Sequence, residues 1–489
     1  MSESARQNAL QARLTTGAPG LDVILNGGVI SGAVYIVQGS PGAGKTILAN
    51  QMCFHQAAQG AKCLYLTVLA ESHDRMLEHL HGLAYFDKEQ VPDGIYYESA
   101  YGTLEHEGLD GILRLLTQER KARNSTLIVL DGLFVLEETI SSAALFRKFI
   151  NNLSSFAHLT GTTILLLTNS GRSSRSPEYT MVDGWLELGT AQPGYETYRY
   201  LQVHKFRGSG FISGQHLTSI SNDGIKIYPR LESSLGQLPT PVVPRALLST
   251  GIPDLDQMLG GGVRQGSSTL LVGPTGIGKT TLGLEFIRKS TVEEPGLIFG
   301  LYEAEDDLID QSRSLGIDLE PLIRDGVVEM LWRPATENRL DELGYQLINA
   351  VRRRGVKRLF VDGINAFQQS AFYPQRVGRF FAALTNELRA EGVTVMYTLE
   401  TEELVGGELK AKLGTISAVA QNIVVLRYVE LEDETHRTLA IVKVRTSRFS
   451  AAIREFFITD SGVVIGERFH GVDDVLTGHA HLRQSESGN

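Results

Sequence analysis

The sequence has few cysteines and no long apolar run. Cys53 and Cys63 are the only cysteines among 489 residues, which argues against a disulfide framework and against a four-cysteine zinc site. No stretch reaches the roughly 18 consecutive apolar residues that a membrane-spanning helix needs. Residues 1–14 lack the apolar centre of a signal peptide. We therefore expect a protein without a membrane span in a reducing, cytoplasmic setting.

The chain also lacks an excess of positive charge. Its 46 Lys and Arg residues are outnumbered by 56 Asp and Glu residues, giving a net charge of −10. Proteins that bind nucleic acid usually carry a basic patch, and the two short basic clusters here, 199–207 and 352–358, adjoin predicted strands. We interpret them as solvated helix ends and nucleotide contacts. The composition argues against a nucleic-acid partner, although a local DNA-binding loop stays open.

The two halves of the chain repeat each other. The segment 16–22, Thr-Gly-Ala-Pro-Gly-Leu-Asp, recurs at 250–256 as Thr-Gly-Ile-Pro-Asp-Leu-Asp, and the same offset of 234 residues separates Lys45 from Lys279. One repeat of this length indicates a domain duplication and not a short solenoid repeat. Three prolines between 239 and 244 interrupt helix and strand patterns at the seam. We predict a first domain at 13–232, a linker at 233–246, a second domain at 247–478 and a flexible tail at 479–489.

Each half alternates apolar, β-branched runs with amphipathic helical segments. Such strands separated by helices indicate a parallel sheet covered on both faces. Late strands follow without helices, at 198–206 to 225–228 and at 423–428 to 456–458, and predict antiparallel strands at the sheet edge. The fold class is therefore α/β. The predicted central strands are Val34–Gln38, Cys63–Val68, Leu127–Asp131, Thr163–Thr168, Thr269–Val272, Leu297–Tyr302, Arg358–Asp362 and Val393–Leu399.

Both halves contain the pattern G-x-x-x-x-G-K-[ST] between an apolar strand and a helix. Glycines let successive backbone N–H groups point inward, and the following helix directs its positive end at phosphate. The lysine reaches the β- and γ-phosphates and the threonine hydroxyl coordinates Mg²⁺. The pattern predicts ATP and Mg²⁺ as cofactors. The two phosphate loops are Gly39, Ser40, Pro41, Gly42, Ala43, Gly44, Lys45 and Thr46, and Gly273, Pro274, Thr275, Gly276, Ile277, Gly278, Lys279 and Thr280.

Carboxylates at the ends of other apolar runs complete each candidate site. Asp131 and Asp362 are predicted to hold Mg²⁺ with Thr46 and Thr280. The alternative is that each aspartate only caps its Asp-Gly turn. Glu71 and Glu303 follow the run between the loop and the metal aspartate, and we predict that they orient or deprotonate the attacking water. The alternative for these glutamates is a position in the first turn of a helix, which carboxylates favour.

These residues resemble the KaiC family of RecA-type ATPases, the bacterial clock ATPase and autokinase and its wider relatives. The resemblance covers roughly residues 13–478 and implies two tandem RecA-like P-loop domains. Its most specific stretches are 423–430, Lys443-Val-Arg445 with its first-half counterpart Lys205-Phe-Arg207, and 452–460. In the family this Lys-x-Arg lies at the subunit boundary and reaches the neighbour's triphosphate, so the resemblance implies catalytic roles for Lys205, Arg207, Lys443 and Arg445 in a homohexamer. The alternative is a basic pair at a strand edge.

The chain departs from the family at two kinds of position. The family usually has two adjacent glutamates after the strand, but here Ala70 and Tyr302 stand at the first position. Where the clock protein has an adjacent Ser-Thr pair, this chain has Ser417 followed by Ala418. Ser417 is therefore a candidate phosphosite for serine/threonine kinase activity of the chain on itself, with a capping serine as the alternative.

The leading hypothesis is a KaiC-like ATP-binding ring protein that hydrolyses ATP, with autophosphorylation on serine left open. We expect a signalling or timing role and KaiB-like or other signalling proteins as partners. A DNA-processing ATPase, a recombinase or helicase relative, is the alternative class. An assembly scaffold in which ATP only holds the ring together is a third.

Overall fold

The structure is a computed structural model that divides into two compact units, residues 1–234 and 235–489. We call them the first and the second unit and treat each by itself. Among the described residues, no helix is long and apolar enough to cross a membrane. The described residues are 12–69, 73–139, 142–169, 177–192, 196–234, 246–334, 339–401, 414–431, 434–445, 447–468, 472–473 and 481–482.

The first unit contains eleven described strands and eight described α-helices. The strands are β1 (Arg13–Leu14), β2 (Val29–Ile30), β3 (Val34–Gly39), β4 (Cys63–Thr67), β5 (Ile95–Ser99), β6 (Leu127–Asp131), β7 (Thr163–Asn169), β8 (Gly184–Ala191), β9 (Tyr198–Phe206), β10 (Gln215–Ser221) and β11 (Gly224–Tyr228). The helices are α1 (Leu21–Ile24), α2 (Lys45–Ala58), α3 (His73–Leu80), α4 (Tyr101–Arg123, with a kink at Gly108), α5 (Leu133–Glu138), α6 (Ala143–Thr160), α7 (Pro177–Met181) and α8 (Leu231–Ser234).

The second unit contains thirteen described strands and eight described α-helices. The strands are β12 (Leu247–Leu248), β13 (Val263–Arg264), β14 (Ser268–Gly273), β15 (Gly296–Gly300), β16 (Val328–Trp332), β17 (Arg358–Asp362), β18 (Thr394–Glu400), β19 (Asn422–Leu431), β20 (Glu434–Val444), β21 (Arg454–Thr459), β22 (Gly462–Arg468), β23 (Val472–Asp473) and β24 (His481–Leu482). The helices are α9 (Pro253–Met258), α10 (Lys279–Ile287), α11 (Glu305–Ser314), α12 (Glu320–Arg324), α13 (Leu340–Arg354), α14 (Ile364–Gln369), α15 (Val377–Ala390) and α16 (Gly414–Val419).

Each unit is built on a nine-stranded sheet with the same plan. The orders are β11-β10-β9-β8-β3-β7-β6-β4-β5 and β22-β21-β20-β19-β14-β18-β17-β15-β16. Six strands run parallel in each sheet, and three antiparallel strands extend one edge. The α/β fold class and the antiparallel edges are therefore confirmed. Within the stretch predicted as a tail, β24 pairs with β23.

Strand β3 is central because apolar residues bury both of its faces. Side chains alternate across a strand, and Tyr35 and Val37 belong to the core that α2 covers. Val34 and Ile36 belong to the opposite core, under α6. This double burial fixes the end of β3, where the first phosphate loop begins.

Candidate functional site

Each phosphate loop leaves the carboxyl end of the middle strand of its nine-stranded sheet, β3 or β14. A Cβ atom on Gly39 would lie 2.5 Å from the carbonyl oxygen of Leu188, and one on Gly273 would lie 2.7 Å from that of Leu426. Carbon and oxygen atoms do not approach this closely without a bond, so only glycine fits at the first loop position. The loop can therefore begin its turn in close contact with the backbone of the neighbouring strand.

The last glycine of each loop sets the direction of the following helix. Gly44 has φ of 102° and Gly278 has φ of 111°, in the left-handed region that favours glycine. A Cβ atom there would meet the Cδ1 atom of Ile220 at 2.7 Å and that of Ile458 at 2.6 Å. Helices α2 and α10 thus begin with their N-terminal ends beside the loops, as phosphate binding requires.

The loop lysines fold over their own loops. Lys45 Nζ donates to the carbonyl oxygens of the first two loop residues at 2.7 and 3.1 Å, and Lys279 Nζ does so at 2.9 and 2.6 Å. Burial lowers the pKa of both lysines, while carboxylates oppose the shift: Asp131 in the first unit, and Glu400 and Asp362 in the second. A bound phosphate would give each lysine an anionic partner in place of these carbonyl oxygens.

In the first unit, Asp131 lies at the floor of a cavity of about 180 Å³ that Lys45 and Thr46 also line. The buried Tyr65 hydroxyl donates to Asp131 Oδ2 at 2.7 Å. Thr168 lines the same cavity, and its buried hydroxyl has no hydrogen-bond partner among the described residues. A lysine, a carboxylate and an orphan hydroxyl around one cavity fit a phosphate group with a divalent cation.

In the second unit, two threonines hold Asp362. Thr280 Oγ1 donates to Oδ2 at 2.9 Å, and Thr398 Oγ1 donates to Oδ1 at 2.6 Å. Thr398 Oγ1 in turn accepts from the Gly363 N–H at 2.7 Å. Burial raises the pKa of Asp362 despite these two hydrogen bonds. A bound cation would offset the cost of burying this carboxylate, so the Thr280–Asp362 pair fits Mg²⁺.

Glu303 lines a small cleft with Asp362 at the carboxyl edge of the second sheet. Burial raises the pKa of Glu303, and the charges of Asp362 and Asp307 add to that shift. A raised pKa suits a carboxylate that accepts a proton from water. The Tyr302 ring packs on Gly363, since a Cβ atom on Gly363 would lie 2.5 Å from that ring. Glu71, the predicted counterpart of Glu303, lies outside the described residues.

The four basic residues named by the Lys-x-Arg stretches lie away from the loops. Lys205 Nζ donates to the carbonyl oxygens of Tyr179 and Thr180 in α7 at 3.1 and 2.7 Å, and Arg207 also donates to Thr180 O. Lys443 Nζ donates to two carbonyl oxygens at the end of α16, those of Ser417 and Ala420, both at 2.7 Å. In both units the lysine therefore caps the carboxyl end of a short helix.

The pairing register separates Ser417, Lys443 and Arg445 from the phosphate loop of their own unit. Val444 lies opposite Asn422, which pairs with the start of β14, whereas the loop leaves the other end of β14. From Ser268 to Gly273 the strand rises about 17 Å. Arg445 lines a separate cavity of about 170 Å³ at this far edge.

Reasoning from sequence missed the residues that act across strands. Tyr65 and Thr398 hold the two aspartates, and Asn169 and Glu400 end the strands next to the phosphate loops. Asn169 lines the cavity of the first unit. Polar residues at the end of an otherwise apolar run were the available signal, since the carboxyl ends of parallel strands meet at one edge.

Comparisons with known proteins agree with this geometry. A family model described as "ATPase: KaiC" matches residues 14–232 and 248–469. The chain is 25% identical over 485 residues to the circadian clock oscillator protein KaiC of Picosynechococcus sp., covering 95% of this chain and 92% of that protein. It is 25% identical over 495 residues to the protein of the same name from Rippkaea orientalis, covering 98% and 93%. It is also 25% identical over 482 residues to the circadian clock protein KaiC3 of Synechocystis sp., covering 95% and 94%.

Proposed function

We propose, from the premise that this chain belongs to the KaiC family of ATPases, that it is a ring-forming enzyme whose two phosphate loops each bind and hydrolyse ATP. The residues assigned to the metal are Thr46 with Asp131 and Thr280 with Asp362, and those assigned to the attacking water are Glu71 and Glu303. The relatives described above carry circadian clock names. A signalling or timing role in the cytoplasm, with a KaiB-like partner, is the corresponding proposal here.

The proposal of a ring rests on one observation: two groups of functional residues are far apart within one unit. Asp362 and Glu303 lie at the sheet edge where the phosphate loop begins. Lys443 and Arg445 lie near the opposite end of β14, which rises about 17 Å. An arginine side chain is shorter than this distance, so Arg445 does not serve its own loop. A closed ring would bring the basic edge of one copy to the loop of the next.

The same separation defines the proposed autokinase step. Ser417 lies beside Lys443, at the sheet edge away from the phosphate loop. Its phosphoryl donor would therefore be ATP bound to the next copy. The serine hydroxyl oxygen would bond to the γ-phosphorus while the bond to the ADP oxygen breaks, and the proton would pass to a carboxylate such as Glu303 of that copy. ADP leaves, and each event adds one phosphoryl group to the chain. Intact mass after incubation with ATP and Mg²⁺ should rise by the mass of one phosphoryl group, and Ser417→Ala should remove the increase.

A mixing experiment tests the shared site. Two full-length variants are prepared: Lys279→Ala, which removes the loop lysine, and Arg445→Ala, which keeps the loop. Each should lack turnover at the second loop on its own, and mixed rings should regain it because an intact loop then meets an intact Arg445. Activity that stays at the mean of the two parents would refute a site shared between copies.

Nucleotide binding itself has a separate test. Lys45→Ala combined with Lys279→Ala should abolish ATP binding in calorimetry, because each substitution removes the cation that faces the phosphates. Lys289→Ala, an exposed lysine just beyond α10, is the matched control and should bind as the unaltered chain does. Native mass with and without ATP reports the ring size. Retained ATP affinity in the double variant would contradict the proposal.

A further inference from the structure

The strand next to each phosphate-loop strand ends in a different residue in the two units. Parallel pairing of β3 with β7 sets Gly39 opposite Asn169, and pairing of β14 with β18 sets Gly273 opposite Glu400. Both glycines are the first residues of their loops. Asn169 and Glu400 therefore hold equivalent positions, and one unit has a neutral amide where the other has a carboxylate.

The backbone around Glu400 is fixed by the helix that follows the metal aspartate. Glu400 N donates to Asn365 Oδ1 at 2.9 Å, and Asn365 Nδ2 donates to Glu400 O at 3.2 Å. The next residue, Thr401, donates its N–H to Gly273 O at 3.2 Å. In the first unit the position equivalent to Asn365 is Phe134, which lines the cavity. The glutamate is thus held beside the loop by contacts particular to the second unit.

The Glu400 carboxylate acts on the groups that would face a nucleotide. It opposes the effect of burial on the pKa of Lys279, and it adds to the raised pKa values of Tyr302 and Asp362. Glu303 and Asp362 are already carboxylates of this site. The second unit therefore sets two carboxylates, Glu400 and Asp362, beside the loop lysine Lys279.

The γ-phosphate is the part of ATP that this difference would affect. Loop N–H groups would hold the α- and β-phosphates, and Lys279, which Glu400 influences, would reach the γ-phosphate. A carboxylate beside it repels it unless a cation lies between them. An asparagine at the same place adds no charge and offers an N–H donor.

We propose that Glu400 determines the nucleotide specificity of the second unit, disfavouring ATP relative to ADP when no divalent cation is bound, whereas Asn169 leaves the first unit selective for ATP. This inference rests on the proposed binding of nucleotide at 273–280. Two like charges within about 6 Å in a partly solvated site change an affinity by roughly tenfold or more. The two loops of one chain then respond differently to the ratio of ATP to ADP.

The test uses the full-length chain with Lys45→Ala, so that only the second loop binds nucleotide. Dissociation constants for ADP and for a non-hydrolysable ATP analogue are measured by calorimetry in EDTA and in saturating Mg²⁺. Glu400→Gln should raise the preference for the ATP analogue roughly tenfold in EDTA and by less in Mg²⁺. Glu400→Asp, which keeps the charge, should stay near the unaltered ratio, as should the control Glu467→Gln, an exposed carboxylate of β22.

The reciprocal variant is made in the first unit, in a chain with Lys279→Ala. Asn169→Asp should lower the preference for the ATP analogue in EDTA, and it keeps the inference testable if Glu400→Gln fails to fold. An unchanged ratio in either folded variant, with binding intact, overturns the inference alone. If the Lys45→Ala chain binds neither nucleotide, the proposed function of the second loop fails and the inference falls with it.

Discussion

The Tyr65 hydroxyl allows a direct measurement of how firmly Asp131 is held. Tyr65 is fully buried and Asp131 is 9% exposed, with 2.7 Å between the hydroxyl and Oδ2. Burial raises the pKa of Tyr65 well above its ordinary value, so the phenol keeps its proton. Tyr65→Phe removes one oxygen and leaves the ring in place. Hydrogen bonds to charged groups contribute about 1.5–3 kcal/mol, and we expect the free energy of unfolding of the first unit to fall by about 2 kcal/mol.

The two tryptophans of the chain make the assay specific for one unit. Trp185 belongs to the first unit and Trp332 to the second. In a Trp332→Phe background, fluorescence therefore follows the unfolding of the first unit. A urea titration should give an unchanged slope and a midpoint lowered by roughly 1 M, since slopes in urea are about 1–3 kcal/mol/M.

Tyr97→Phe is the matched control. Its ring packs against Tyr65 with centroids 5.4 Å apart, but its hydroxyl donates to the neutral amide oxygen of Asn50 at 2.8 Å. A neutral hydrogen bond contributes about 0.5–1.5 kcal/mol, so this loss should be the smaller one. Equal losses in the two variants, or a loss under about 0.5 kcal/mol for Tyr65→Phe, would refute the assignment of Asp131 as a charged acceptor.

Two further outcomes concern the second unit, followed by Trp332 fluorescence in a Trp185→Phe background. Gly283→Ala should destabilise the second unit by about 1–3 kcal/mol, because the new Cβ would lie 2.0 Å from the ring of Phe360. Replacing glycine by alanine in a helix usually increases stability, and such an increase here would contradict the contact. Burial raises the pKa of Asp362, so the folded state holds this proton more tightly than the unfolded chain does. Stability should therefore fall as pH rises from the ordinary carboxyl pKa to the raised one, and Asp362→Asn should flatten this slope in urea titrations between pH 4 and 7; an unaltered slope would count against the shift.

The central sheet could be predicted because its strands are buried on both faces. Their sequences are continuous apolar runs, and the eight predicted strands all form, with ends that differ by at most two residues. Among the parallel strands, β5, β8 and β16 were missed. Ile95–Ser99 and Val328–Trp332 lie at sheet edges and are only half-buried. Gly184–Ala191 alternates buried and half-buried residues, so none of the three forms the continuous run that marks a central strand.

The site could be predicted only where the chemistry lies within one short segment. Asp131 and Asp362 are the last residues of their strands and each loop begins where a strand ends, so a local pattern reveals them. The partners of the aspartates are distant in sequence: Thr398 lies 36 residues from Asp362 and Tyr65 lies 66 residues from Asp131. The contacts depend on strand order and register, which the apolar pattern does not specify.

Both units have an aspartate at the end of the equivalent strand, Asp131 and Asp362, but the residue that donates a hydrogen bond to it from a neighbouring strand differs. At the position equivalent to Tyr65 the second unit has Ile298, and at the position equivalent to Thr398 the first unit has Leu167. Each unit thus has a donor where the other has an apolar side chain. Because the strength of a carboxylate as a ligand depends on the donors it already serves, two loops with the same pattern need not bind the same ion equally. We therefore expect the cross-strand neighbours Tyr65 and Thr398 to influence how tightly Asp131 and Asp362 hold a cation.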